Sequence, residues 1–196
     1  MILWVVRRAQ SSNLPVVMAT SADSSDNDLT KLVEDVGVTV IRGPLDDVLG
    51  RALLAAECLG WQSFARLCAD RPFFDVAQLQ EALAVVNGAE AFDMASNNLG
   101  AGAPAGLTTE AIRIEALQRA AAASSSIRHR EHLSSYLYEN PHLFKLWPMM
   151  RLPIPGDQPV KRFAVDTLDD YRVLGALADG CNPSVSLLEL ACREKV

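Results

Sequence analysis

The sequence lacks several things that would decide its class at once. It has no surplus of basic residues, since 18 Lys and Arg stand against 24 Asp and Glu, a net charge of −6. An acidic chain has nothing with which to neutralise a nucleic-acid backbone or to coat an anionic membrane, so neither a polynucleotide nor a membrane surface is expected as a partner. No apolar run approaches the ~20 residues that span a bilayer, and the start has no basic segment followed by an apolar stretch and a small-residue cleavage site. The expected location is the cytoplasm. Only four cysteines occur, at 58, 68, 181 and 192, with no C-x-x-C among them, which indicates neither a zinc knuckle nor a disulfide framework. There is no G-x-S-x-G nucleophile elbow. No internal repeat and no low-complexity linker break the chain, so residues 1–196 are expected to form one domain.

What is present is a core-forming composition, 49% hydrophobic and 21% charged over 196 residues, arranged as short apolar runs alternating with helical patterns. Residues 1–12 read as an amphipathic helix with Arg7 and Arg8 at its cationic end. Strands are expected at Val16–Thr20, Val38–Arg42 and Phe64–Ala69, and helices at Asp28–Val36, Pro44–Leu59 and Asp75–Asn87. Pro44 would open its helix and Gly60 close it. This alternation, with strands apolar on both faces, is the pattern of an α/β protein whose sheet is covered by helices on both sides. Further on, strands are expected at Phe92–Asn97 and Leu107–Ile112, the second as a half-exposed antiparallel edge. A helix follows at Ile114–Ala123, another at His129–Tyr138, strands at Phe144–Met150 and Phe163–Val165, and helices at Leu168–Ala178 and Ser184–Arg193.

Few groups carry chemistry by pattern alone. The loop Gly100-x-Gly102-x-x-x-Gly106 fails the dinucleotide fingerprint, because its third glycine comes one position late and a strand follows. His129 and His132 lie three apart on one helix, but flanked by Arg128 and Arg130 they read as a solvated or hydrogen-bonded pair rather than a zinc site. Two aspartates stand out by position. Asp70 follows the strand FARLCA and Asp166 follows FAV, so both sit at carboxyl ends of strands, where open α/β sheets bind ligands. Each also suits an ordinary turn or capping role, with Thr167 as the cap of the helix after Asp166. As hard oxygen donors they would suit Mg²⁺.

The ordered segments RRAQSSNLPVVMATSADSSDNDL, VIRGPLDDVLGR, ARLCADRPFFD, DMASNNLGAGAPAGLTTEAI, REHLSSYLYENP and FAVDTLDDYRVL resemble the cytidylyltransferase family that includes spore coat polysaccharide biosynthesis protein F. Its relatives are the acylneuraminate and 3-deoxy-manno-octulosonate cytidylyltransferases. The resemblance implies a three-layer α/β/α nucleotidyltransferase fold, similar to glycosyltransferase A, with a mostly parallel mixed sheet. It implies a reaction in which a sugar or sugar acid attacks the α-phosphate of CTP and pyrophosphate leaves. Asp70 and Asp166 match the family's catalytic, metal-binding aspartates and would hold Mg²⁺. Arg51 and Arg66 would bind the nucleotide. Ser96, Asn97, Arg130 and His132 would face the sugar. A homodimer is implied, with the segment from Asn98 to Ile112 reaching out as its arm.

The chain departs from the family pattern in two places. The family begins with a strand and a Gly/Arg/Lys-bearing loop, and MILWVVRR matches the helix after that loop. The fold is therefore expected to be N-terminally truncated and its activity impaired, with orphaned backbone groups costing about 1–3 kcal/mol each where buried. In PAGLTTE, Ala105 and Thr108 stand where the family has Arg and Asp. The competing expectations are a non-catalytic, dimerising remnant of the fold and another sugar nucleotidyltransferase, for uridylyl or guanylyl transfer.

Overall fold

A computed structural model describes residues 1–99, 103–150 and 162–191. The chain opens with α1 (Ile2–Gln10), β1 (Val17–Ser21), α2 (Asn27–Glu34), β2 (Thr39–Gly43), α3 (Val48–Leu59), β3 (Ser63–Arg66) and α4 (Val76–Asn87). It continues through β4 (Met94–Ser96), β5 (Glu110–Arg113), α5 (Ile114–Ala123), α6 (Ile127–Glu131), α7 (Ser135–Glu139), β6 (Leu146–Pro148), α8 (Leu168–Ala178) and α9 (Leu187–Ala191). The strands form a parallel pair, β1–β2, and a four-stranded mixed sheet in the order β3-β5-β4-β6. Within the larger sheet β5 runs antiparallel to both β3 and β4, while β6 runs parallel to β4.

Side-chain alternation along the strands divides the core into two layers, one on each face of the sheet. Phe64, Met94 and Ile112 pack with Leu49 of α3 and with Ala116, Leu117 and Ala120 of α5. Ala65, Ala95 and Ala111, each adjacent in its strand to one of those three, instead meet Ala82 and Val86 of α4. The small residues on the second face let α4 sit close. Alpha-helix 1 covers the same face, with Val5 and Ala9 against Val16, Ala65, Leu67 and Leu79.

Capping explains most helix boundaries. The Asp47 carboxylate accepts from the Gly50 N–H at 2.7 Å, so α3 begins at Val48 and not at Pro44; Pro44 and Leu45 are lead-in residues whose carbonyls accept from Arg51. Gly60 ends α3 in the left-handed conformation, φ +66°. Asp75 caps α4, and Thr167 caps α8 in a reciprocal box with Asp170.

Three expectations change. The strand ending at Ile112 is not an edge: β5 lies between β3 and β4, with Glu110, Ala111 and Ile112 buried. Its alternation of polar and apolar residues is met by a buried polar network instead of by water. The helix expected at His129–Tyr138 is two short helices, because a turn at 132–134 lets Leu133 and Leu137 both enter the core while Ser134 reaches Glu110. Residues 163–165 are extended but join none of the described ladders; their backbone binds the Asp70 and Ala105 carbonyls singly. Residues 192 and 193, at the end of the last expected helix, and the glycines at 100 and 102 lie outside the described residues.

Candidate active site

The turn after β3 holds Asp70, and it is pinned from two sides. The Val165 N–H donates to the Asp70 carbonyl at 2.8 Å, and Phe163 N–H donates to the Ala105 carbonyl at 2.8 Å. Gly106 sits against the same strip with φ +87°, where an added Cβ would lie 2.1 Å from the Phe163 carbonyl carbon. Only glycine fits both the conformation and the approach. Phe73 packs edge-to-face on Trp4 and on Phe163. A buried arginine closes the arrangement: Arg8, 1% exposed, donates to the carbonyls of Phe74, Pro183 and Val185 at 2.7–2.8 Å.

This junction brings Asp166 next in chain to a residue whose backbone is bonded to Asp70, so the segments that carry the two aspartates run side by side. The Asp166 carboxylate is half exposed and pairs with Arg162. Among the described residues no group of three metal-binding side chains is assembled. Asp70 and Asp166 each carry a hard carboxylate of the kind a hydrated Mg²⁺ takes beside water and phosphate oxygens.

Arg66 points from the last residue of β3 into a cleft of about 650 Å³ that Arg51 and Cys68 also line. Asp70 and Asp166 are not part of that lining. Arg66 donates to Glu110 at 3.5 Å, and behind it lies a closed polar network. Tyr138 OH donates to Glu110 at 2.8 Å, Ser134 OH donates to the same carboxylate at 3.2 Å, and Ser96 shares a 2.7 Å hydrogen bond with Tyr138. Burial works against the Arg66 charge, yet nearby Cys68, Glu110 and Asp70 together hold its guanidinium more basic than an ordinary arginine. Burial, with Glu110 beside it, pushes the Tyr138 phenol well above its ordinary value, so Tyr138 is a proton donor here at any ordinary pH.

The remaining candidates are placed less uniformly. Asn97, 2% exposed, spends its side chain on Gln78, the Leu107 carbonyl and the Thr109 N–H. Ser96 is fully buried in the Tyr138 network. Both therefore spend their polar atoms on protein contacts and not on an open surface. Arg130 is part-buried, bonding Asp47 and the Ala121 carbonyl, whereas His132 is exposed. His129 bonds Ser124 at 2.6 Å and Glu139 at 2.8 Å, the hydrogen-bonded arrangement expected for it. Glu110, Ser134 and Tyr138 were not singled out by sequence, although they lie inside the segments PAGLTTE and REHLSSYLYENP. A polar residue every few positions in otherwise apolar segments was their only signal.

The sequence profile of the cytidylyltransferase family matches residues 1–179. The chain belongs to the cytidylyltransferase family. Among solved structures, a cytidylyltransferase from Leptospira borgpetersenii serovar Hardjo-bovis superimposes with a TM-score of 0.85 at 22% identity, covering 96% of this chain and 80% of that one. A CMP:2-keto-3-deoxy-manno-octonic acid synthetase complexed with CTP superimposes with a TM-score of 0.63 at 15% identity, covering 89% of this chain and 87% of that one. Both likenesses establish the nucleotidyltransferase fold. By sequence, the uncharacterized protein MJ1063 of Methanocaldococcus jannaschii is 27% identical over 158 residues, 81% of this chain and 63% of the relative. This cytidylyltransferase-family chain thus spans less than two thirds of that relative's length.

Proposed function

We propose that the protein transfers CMP from CTP to a sugar or sugar acid destined for a surface polysaccharide or glycan. In that reaction a substrate oxygen forms a bond to the α-phosphorus of CTP, the bond to the β-phosphate oxygen breaks, and pyrophosphate leaves. The observation that supports this reading is that Arg66 and the turn holding Asp70, to which the segment before Asp166 is bonded, both follow from the end of β3 in a chain that belongs to the cytidylyltransferase family. Arg66, held by Glu110, would place positive charge beside the triphosphate, and Arg51 would add a second cation from α3. The two aspartates would hold Mg²⁺. Bound there, the ion would offset triphosphate charge and the charge that develops on the leaving oxygen. Arg130 and His132 would meet the sugar, with Ser96 and Asn97 supporting the floor beneath it.

The same reading holds that the 196-residue chain alone grips CTP weakly. Arg51 already spends donors on Pro44 and Leu45, so Arg66 is left with most of the work of neutralising a triphosphate. Losing one well-placed donor to the transition state commonly costs ~10²–10³ in rate. A homodimer and a cytoplasmic location belong to the proposal. Support for the dimer comes from β6, which borders the described sheet and leaves Trp147 and Met150 exposed. Support for the location comes from the thiols of Cys58 and Cys68, together with a nucleotide substrate.

Calorimetric titration with CTP and Mg²⁺ tests the reading, followed by a pyrophosphate-release assay with sugar acids as acceptors. Weak binding that weakens further in Arg66→Ala and Asp70→Ala is the expected result. Tight binding indifferent to both substitutions would place the nucleotide elsewhere and end the proposal.

A further inference from the structure

A second group of chemistry-bearing side chains lies away from β3, where α5, α6 and α7 meet. Ser124 follows the last residue of α5, His129 lies on α6, and Glu139 ends α7. Their side chains are linked in series: the Ser124 hydroxyl is 2.6 Å from Nδ1 of His129, and Nε2 of His129 is 2.8 Å from a Glu139 carboxylate oxygen. The direction of each bond follows from the acid. The His129 hydrogen bond, with Arg128 2.6 Å from the other oxygen, holds the Glu139 carboxyl below its ordinary value. A carboxylate only accepts, so Nε2 carries the hydrogen and the neutral ring keeps its lone pair at Nδ1. The Ser124 O–H therefore donates to Nδ1. An edge-to-face contact with Tyr136, 5.2 Å between centroids, holds the ring in place, and the His129 side chain is 14% exposed.

We propose that Ser124, His129 and Glu139 form a second catalytic centre, a nucleophilic serine with its base and its acid, which takes the acyl group of small activated carboxylic esters and passes it to water. A hydroxyl within hydrogen-bond reach of a base, itself oriented by a third group, is the arrangement that activates a serine. Here Nδ1 faces the serine and Nε2 the acid, and the role of each nitrogen is set by the hydrogen bond the other makes. In the first step Oγ bonds to the carbonyl carbon and its proton passes to Nδ1. The bond from that carbon to the leaving oxygen then breaks, and the leaving oxygen takes the proton. In the second step water bonds to the carbon and gives a proton to Nδ1, and the acyl bond to Oγ breaks as that proton returns to Ser124. The Ser126 N–H donates to Oγ at 3.2 Å, which steadies the oxygen as its proton leaves and keeps one lone pair for attack. The surroundings set the size of the substrate. None of the three residues lines the cleft beside Arg66 or the smaller cavity of about 310 Å³ at Trp4 and Tyr171, so a large ligand is not enclosed. Ala123, Ser125 and Ser126 are small and exposed, so a small one is not blocked. A structural tie between α6 and α7 is already made by Arg128 and Glu139, and such a tie has no need of a hydroxyl aimed at the lone pair of an imidazole.

No nucleotide takes part, so this centre and the nucleotide reading stand or fall separately. The probe is 4-nitrophenyl acetate, given to the unaltered chain at neutral pH. Nitrophenolate release is followed in solution, and the acetylated residues are found by mass spectrometry of peptides after an acid quench. Release faster than that caused by free imidazole at the same concentration is expected, with an acetyl group on Ser124. Ser124→Ala should abolish that excess. His129→Ala should slow the labelling of Ser124 by about 10²–10⁴-fold, the usual contribution of a positioned general base, and Glu139→Gln should slow it by less, while circular dichroism stays unchanged in each. Should a variant not fold, the position of the acetyl group in the unaltered chain decides by itself. Acetyl groups found only on lysines, cysteines or the amino terminus, labelling of Ser124 as fast in His129→Ala as in the unaltered chain, or release no faster than with free imidazole would each overturn the proposal and leave the three residues as a tie between helices.

Discussion

The two regions that flank β3 are built on opposite principles. At its carboxyl end, the junction of residues 70–75, 104–107 and 163–166 is overdetermined, with backbone hydrogen bonds, a glycine that nothing else can replace, stacked aromatic rings and the Arg8 clamp all fixing one geometry. Along its other side, the cleft of about 650 Å³ forms a slot between β1 and β3, lined largely by alanines and other apolar side chains. The difference separates two kinds of requirement. Carboxylates that are to share one metal ion must be preorganised, because misplacement is costly in rate. A cleft lined by small side chains instead keeps space. Substitutions on the two sides should therefore differ sharply in cost.

The largest effect is expected for Arg8→Ala. It removes three hydrogen bonds from a charged donor, each worth about 1.5–3 kcal/mol, and it releases the turn at Phe74 from the segment at 183–185. Because the three act together, the loss in urea unfolding should be about 3–5 kcal/mol, not the full sum. Gly106→Ala comes next. A Cβ 2.1 Å from the Phe163 carbonyl carbon cannot be accommodated without moving the backbone, and φ +87° strains any other residue. A loss of about 3 kcal/mol is expected, and amide exchange should speed up at Val165, whose N–H holds Asp70.

Glu110→Gln probes the carboxylate that backs Arg66. It removes the charge facing Arg66 and weakens the acceptor for Tyr138 and Ser134, so a loss of about 1–3 kcal/mol is expected. CTP affinity should fall with it if Arg66 is the nucleotide's cation. Ala52→Val, by contrast, adds methyl groups to a residue that lines the slot, and unfolding should shift by no more than ~0.5 kcal/mol. A loss as large as that of Gly106→Ala would mean that the slot is as tightly specified as the junction, and the comparison would fail.

The sequence made the scaffold legible wherever local rules decide it. Thr167 capping α8, Gly60 ending α3 and Asp75 opening α4 follow from residue type and position, and all three were expected. The equivalent places of Asp70 and Asp166 after apolar segments were legible, and a backbone bond between Val165 and Asp70 sets those segments side by side. What holds them together was not readable, because Arg8 looked like the solvated end of an amphipathic helix while its guanidinium is buried among three carbonyls. Burial of a long cation depends on what the remaining 180 or so residues place around it, and a helical periodicity carries no such information. The same reason hid Glu110. An acidic residue in an apolar strand reads as an exposed edge until Tyr138 and Ser134, some 25 residues away, are seen to satisfy it.

The smallest effect concerns how β1, the far wall of the slot, is tied down. Its last residues, Thr20 and Ser21, donate through their hydroxyls to Asp26 at 2.7 and 2.6 Å, and the Ser21 N–H donates to the same oxygen at 3.1 Å. The Ser21 hydroxyl, then that of Thr20, holds the Asp26 carboxyl below its ordinary value of 3.8. A carboxylate depressed in the folded state stabilises the fold wherever the unfolded chain would also be ionised, so its contribution is complete above about pH 5 and disappears as pH falls through the depressed value. Asp26→Asn, which removes that contribution, should consequently lower the melting temperature at pH 7 and leave it close to that of the unaltered protein at pH 2–3. The accompanying faster exchange should be confined to residues 17–21. A difference between the two proteins that persisted unchanged into acid would show that Asp26 acts by shape and not by charge. In that case β1 would be fixed by packing alone, like the junction, and the slot would have one rigid wall.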